Sequence, residues 1–398
     1  MDTLAPNRSR IQSIDILRGL IMIIMALDHT RDFFHTQAWT GDPTDMATTT
    51  PVLFFTRWIT HFCAPIFVFL AGTSAWLQGI RKTKKELSLF LIKRGIWLII
   101  VEVFIMNFAF SFDIHFSLIA LQTIWSIAIS MIILGAMIWL PFPVILITGL
   151  LIVLGHNSLD FYEKGLKEPP GVWYDLLHHQ GLFHLWGNHN LLIFYPFLSW
   201  AGLMMLGYCL GKIITNTDEV KRKKELIALG LGCIILFIVL RAINIYGDPD
   251  QWSTQKNGIF TFLSFINTHK YPPSLLYMCM TIGPGLLFLA FFSKTRNRLS
   301  DIIAVYGRVP FFYYILHFYL IHLLCMVLFL ARGHTFAEGI QNHQGGGFHP
   351  YFIIPGEGYN LGIVYVIWLA IIISLYPLCK WYDKYKRDHK DNKWLSYL

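Results

Sequence analysis

The 398-residue chain is 55% hydrophobic and only 14% charged, and its mean hydropathy is +0.51. Soluble domains carry about 25% charged residues, which excludes a soluble enzyme and leaves an integral membrane protein. The net charge of +8 falls in short basic clusters between apolar runs, a topology signal and not a nucleic-acid surface.

The leading segment MDTLAPNRSR has no cleavage-site pattern and runs into a full-length apolar stretch, which reads as a retained first helix. A membrane span needs about 20 mainly apolar residues. Ten segments are read as spans, at about 13–35, 58–79, 88–109, 116–140, 142–157, 190–211, 225–245, 272–293, 309–331 and 361–379, the fifth being short. Placing the N-terminus inside also puts inside Arg81, Lys82, Lys84 and Lys85, then Lys212 and Lys221 to Lys224. Lys294, Arg296, Arg298 and the tail KWYDKYKRDHKDNKW follow on the same side. Four successive basic inside segments satisfy the positive-inside rule. The expected fold is all-α, a polytopic bundle of about 10 (10–11) transmembrane helices with both termini cytoplasmic. An eleventh helix or re-entrant segment would fall at Ser300 to Tyr306. The outer loops, about 158–189, 246–271 and 332–360, are rich in Gly, Pro, Trp and His. They read either as a surface for a polar, sugar-like ligand or as caps on the bundle.

The first span, IQSIDILRGLIMIIMALDHTRDFFH, carries Asp15, Arg18, Asp28 and His29. Charges at membrane depth cost roughly 2.5–3.5 kcal/mol each and are rare without a task. Arg18 and His29 stand eleven positions apart, which is roughly 16 Å along a helix. Asp15 can pair with Arg18 at i+3, either as an entry salt bridge or leaving Arg18 to bind an anion from the cytoplasm. Neutral imidazole suits a general base, and Asp32, three residues beyond His29, is the better-placed carboxylate partner than Asp28.

The second span holds His61 at the depth of His29 and Pro65, which should kink the helix or free a carbonyl four residues back. His61 reads as a second acid/base, an acceptor-binding group or an interfacial histidine. In the third span, Arg94 sits level with Arg18, so that the two make a cationic entry for a polyphosphate donor or simply snorkel to the interface. Glu102 lies deep and must pair, protonate or function. Gln122 and Trp125 add a polar pair in the fourth span, and His317 with Tyr314 marks the ninth as a cavity wall or a helix–helix contact. The segment KYPPSLLYMCMTIGPG reads as ordinary interface anchoring. His178, His179, His184 and His189 form no HExxH or cysteine-bearing pattern, and no metal is expected; nor do six scattered cysteines without a CxxC pair suggest a disulfide framework or zinc site.

Three segments, R-IQSIDILRGL…MALDH, HFCAPIFVFLAGTSA and YPFLSWAGLMMLGYCLG, resemble the catalytic domain of heparan-α-glucosaminide N-acetyltransferase and its bacterial relatives. The similarity covers about residues 1–230, and the segments YPPSLLYMCMTIGP and GRVPFFYYILHFYLIH extend it to about residue 325; 231–398 supplies further helices of the same membrane domain. The Arg18–His29 spacing also resembles that of the acyltransferase-3 membrane proteins. The resemblance implies transfer of an acyl group, usually acetyl, from cytoplasmic acyl-CoA to an extracytoplasmic sugar or glycan acceptor, in the inner membrane of a bacterium. Carried over, Arg18 matches the family's first-helix arginine and His29 the acyltransferase-3 histidine. In the heparan enzyme an asparagine aligns with His29, and its essential histidine lies further on, near where this chain has His35.

The expected reading is a membrane acyltransferase with acetyl-CoA as co-substrate and the bilayer as its setting, alone or as a homo-oligomer. His29 is the base, ahead of His61 and His35, with Asp28 or Asp32 orienting it. Arg18 and Arg94 hold CoA phosphates, Gln122 or Trp125 supports the oxyanion, and Asp15, His35, Glu102, Tyr314 and His317 line the cavity. The alternative is a proton-coupled transporter or flippase using Asp28, Glu102 and the histidines as a relay. Such transporters often show inverted repeats with broken helices, and none is evident here.

Overall fold

The computed structural model describes residues 12–168, 170–292, 297–341 and 349–389, together with 391, 392 and 395. The leading decapeptide, Lys294, Arg296, residues 342–348 of the last outer loop and parts of the tail, all used in the topology argument, lie outside the described residues.

Of the described residues, 70% are helical and 5% lie in strands. Its main elements are α1 (Gln12–Phe34), α2 (Pro51–Gly79), α3 (Lys84–Ile100), β1 (Leu118–Leu121), α4 (Thr123–Met137), α5 (Phe142–Gly155), β2 (Gly181–Trp186), β3 (His189–Ile193), α6 (Leu198–Ile214), α7 (Glu219–Ile243), α8 (Leu275–Phe291), α9 (Arg298–Arg308), α10 (Pro310–Ala331) and α11 (Leu361–Asp388). Each apolar segment read from the sequence overlaps one of these helices, although 116–140 and 190–211 also take in strands β1 and β3. Among the described residues, α2, α7, α10 and α11 are long and apolar enough to cross a membrane unaided, while α4, α5, α6 and α8 are shorter apolar helices. Ile235, Leu151 and Ile373 stand 59%, 69% and 70% exposed, the outward apolar surface that a bilayer covers.

The purely helical expectation needs one correction. A three-stranded sheet in the order β1-β3-β2 joins the 116–140 segment to the loop before α6. The β2–β3 hairpin turns through Gly187 at φ 54 and Asn188, and a two-residue loop with glycine first suits such a turn. The segment near Ser300 to Tyr306 forms α9, which packs along α1.

α1 is the axis of the bundle, with residues buried around its whole circumference against α2, α9, α10 and α11. Two backbone crossings hold it. A Cβ on Gly19 would lie 1.9 Å from the Ile303 carbonyl oxygen, and one on Gly307 would lie 1.8 Å from that of Asp15. α2 crosses α6 in the same way, through Gly72 and Gly207, and Thr73 Oγ1 donates to the Gly207 carbonyl at 2.9 Å. Small residues permit this approach, which is how membrane helices associate where burial from water gives no drive.

Gly307→Val should therefore destabilise the protein by about 1–3 kcal/mol or more through overpacking. Gly232→Ala, with open space around the added methyl, should be neutral or slightly stabilising. Thermal unfolding of the detergent-solubilised variants measures both.

Candidate functional site: a cavity along the first helix

A cavity of about 410 Å³ runs beside α1. At one end it meets Arg18, Gln78, Arg94, Arg308 and Lys386, and at the other Asp28, His29, Thr60, Tyr195 and Lys270; apolar side chains such as Phe67, Leu98, Ile127 and Met131 line it too.

The cationic end is assembled from four helices. Arg18 donates to Ser74 Oγ at 2.9 Å and to the Gly307 carbonyl at 3.3 Å, and keeps Asp15 at 3.8 Å as the i+3 spacing anticipates. Arg308 Nε bonds Asp383 at 2.9 Å, which brings α11, and with it Lys386, to the same end.

At the other end Asp28 is the hub. One oxygen accepts from Arg31 at 3.1 Å; the other accepts from Arg57 and has Lys270 Nζ 3.8 Å away. A buried carboxylate is tolerated only when paired, and three cations surround this one. Asp32 gives its carboxylate to Arg31 at 2.6 Å rather than to His29. His29 is half-buried on the cavity wall, its ring 4.1 Å from that of Phe318 and 5.3 Å from that of His317.

Several expected site residues have structural employment instead. Pro65 frees the carbonyl of His61 as expected, and Tyr277 Oη of α8 donates to it at 2.8 Å. The His61 ring itself is buried edge-on against Tyr277, outside the cavity lining. His35 lies past the end of α1, accepting from the Gln37 backbone at 3.2 Å. Glu102 sits in a π-helical turn, Val101–Met106, that continues α3. Its carboxyl accepts from the Gln122 backbone at 2.7 Å, at the start of α4. Neither Gln122 nor Trp125 is part of the cavity lining, whereas Thr123 between them is. Tyr314 lines the cavity and His317 stands behind His29. His178 does approach two carboxylates, with ligand atoms of Asp160, Glu163 and His178 within 4.8 Å, but it bonds Glu163 at 2.7 Å and His156 at 3.1 Å.

Sequence reasoning missed Arg57, Lys270, Tyr195, Arg308 and Lys386. KYPP is not a plain interface anchor: Lys270 enters the cavity, and Tyr271 Oη receives bonds from Arg57 at 3.4 Å and Tyr195 at 3.5 Å. The one available signal was Arg57, one helical turn before His61. Lys270 is delivered by a fastened loop. Arg241 donates to the carbonyls of Ser264, Phe265, Asn267 and Asp250, while Asp248 accepts from Ser274 Oγ at 2.6 Å and the His269 backbone at 3.0 Å.

Fold and site together define a helical membrane protein with a polar-ended chamber along one helix. Residues 10–246 match the family model for the catalytic domain of heparan-alpha-glucosaminide N-acetyltransferase, and the chain belongs to that family of transmembrane acetyltransferases. No curated protein matches the chain.

His269 fastens the loop through both ring nitrogens, to Asp250 Oδ2 at 2.7 Å and to the Tyr271 carbonyl at 2.8 Å. A carbonyl and a carboxylate only accept, so the ring is held as imidazolium. Burial works against that charge, but the Asp250 bond and the charges of Asp250 and Asp248 outweigh it, raising its pKa. This stabilisation is complete below the ordinary value of about 6.5 and is lost as pH rises through the raised one. Thermal stability should fall as pH climbs above that value, and His269→Gln should flatten the dependence.

Proposed function

We propose that the chain moves an acetyl group from acetyl-CoA, bound at the Arg18 end, to a hydroxyl or amine of a sugar or glycan at the Asp28–His29 end. The observation that carries this reading is the single cavity joining a cluster of cations to a cavity-facing histidine. With the basic segments and the tail inside, the Arg18 end is cytoplasmic and the His29 end faces outward. The family's bacterial relatives favour the inner membrane of a bacterium.

Each part of the donor then has a counterpart. Arg18, Arg94, Arg308 and Lys386 hold the phosphates by charge-assisted hydrogen bonds. The apolar side chains between the two ends take the pantetheine arm and exclude water. At the far end the acceptor N–H or O–H attacks the thioester carbonyl carbon and His29 takes the proton. As the tetrahedral intermediate collapses, the C–S bond breaks and the departing sulfur receives that proton, giving CoA thiol and the acetylated acceptor. Lys270, in place of Gln122 or Trp125, is the cation available to the developing oxyanion. Asp28 holds Arg57 and Lys270 in position rather than orienting the base.

His29→Ala should lower kcat for CoA release about 10²–10⁴-fold with little change in KM for acetyl-CoA. Arg18→Ala and Arg94→Ala should mainly raise that KM. Purified protein with acetyl-CoA and glucosamine provides the assay. Absence of CoA release, together with absence of any binding heat from acetyl-CoA, would overturn the enzyme reading. Proton-coupled solute uptake into vesicles would then support the transporter.

A further inference from the structure

His317 lies directly behind His29 and is fully buried. Its Nδ1 is 3.1 Å from the Tyr313 carbonyl oxygen. A carbonyl only accepts, so Nδ1 carries the hydrogen and Nε2 is left with a lone pair. That Nε2 is buried and has no hydrogen-bond partner among the described residues. A buried acceptor left without a partner is costly, so its retention asks for a reason. The ring is fixed in place, stacked parallel to that of Tyr313 with centres 5.2 Å apart and packed on Phe318 at 4.8 Å. His29, with ring centres 5.3 Å away, lacks the partner the sequence pattern offered, because Asp32 is bound to Arg31 and Asp28 to Arg31 and Arg57.

We propose that His317 is the positioning residue of this site, its Nε2 accepting the N–H of His29 so that the other imidazole nitrogen of His29 presents its lone pair to the cavity. The inference rests on His29 being the base. A histidine's tautomer is set by the bond its second nitrogen makes, and here a neutral imidazole fills the place often taken by a carboxylate. Hydrogen bonds of this kind are commonly long before substrate arrives and shorten in the reacting complex. When His29 accepts the acceptor's proton, its second N–H keeps donating to His317, so the proton stays on His29 for the departing sulfur. The charged groups around the pair are Asp28 on α1, Arg57 on α2 and Lys270 on the loop before α8; Tyr314 shares α10 with His317.

The test compares His317→Asn with His317→Gln. The glutamine carbonyl can reach the place of Nε2, whereas asparagine is shorter and stays near the Nδ1 position. With acetyl-CoA and glucosamine, Asn should lower kcat about tenfold or more while KM for acetyl-CoA stays unchanged, and Gln should restore most of the rate. An activity-independent arm measures carbethoxylation of His29 by diethylpyrocarbonate, read on the His29 peptide by mass spectrometry. Asn should slow it severalfold and Gln should not, with thermal midpoints of both variants matching wild type. Equal modification rates in wild type, Asn and Gln would overturn the proposal, as would an Asn variant whose kcat is unchanged. If wild type neither releases CoA nor shows binding heat with acetyl-CoA, the acetyltransferase reading fails by itself, while the modification rates still decide whether His317 holds His29.

Discussion

The Asp28 carboxylate is the constraint on which the rest of the structure depends. It sits buried in the first helix, where an unpaired charge would be prohibitive. Its partners come from three places: Arg31 one turn on, Arg57 at the start of α2, and Lys270 from a loop more than two hundred residues away in sequence. Satisfying that one charge draws α1, α2 and the segment before α8 to a common point. It also leaves a surplus of positive charge around it, since Arg31, Arg57 and Lys270 outnumber Asp28 and Asp32. The cavity opens beside this cluster.

The supporting devices serve the same end. Asn107, at the close of the π-helical turn, clasps β1 through Ala120 in both directions, at 2.6 and 3.1 Å, and Glu102 accepts from the Gln122 backbone at the start of the helix that follows. β1 then carries β3, whose continuation bonds the Leu121 carbonyl through the Phe194 and Tyr195 backbones. That sequence of contacts aims Tyr195 into the cavity. Wide helical turns are frequent at functional sites because they redirect a side chain without ending the helix. Here the redirected group is a carboxyl that receives a backbone amide, and the benefit appears one strand further on.

What could be read from the sequence follows the range of the forces involved. Apolar runs near span length announce helices, and the positions of helices followed. The Asp15–Arg18 pair is a local i+3 relation, and the Pro65 carbonyl is a covalent consequence of a missing N–H. Arg18, Arg94, Asp28 and His29 could be singled out because charge at membrane depth is costly wherever it stands. The role of Glu102 was not legible, since its partner is the Gln122 backbone amide, which is in place only once α4 begins where it does. Lys270 was hidden because a lysine beside Tyr-Pro-Pro at a membrane edge is ordinary until Asp28 is found opposite it. The sheet was missed because its strands are short and belong to segments otherwise dominated by apolar runs.

The site also bears on how the chain divides. The family match ends at residue 246. Yet Lys270, Arg308, Tyr314 and Lys386 all reach the cavity from beyond it. The first part supplies the helix carrying Arg18 and His29, while the second supplies one of the cations around Asp28 and two of the four at the opposite end. Neither part encloses the cavity without the other. A division near residue 230 would therefore cut through the lining of a cavity that belongs to the whole bundle. The backbone crossing of Gly19 and Gly307 joins the two parts at the cationic end, within one turn of Arg18. Anything that shifts α9 along α1 moves Arg308 relative to Arg18, which makes that contact the place where packing is converted into the spacing of the cations.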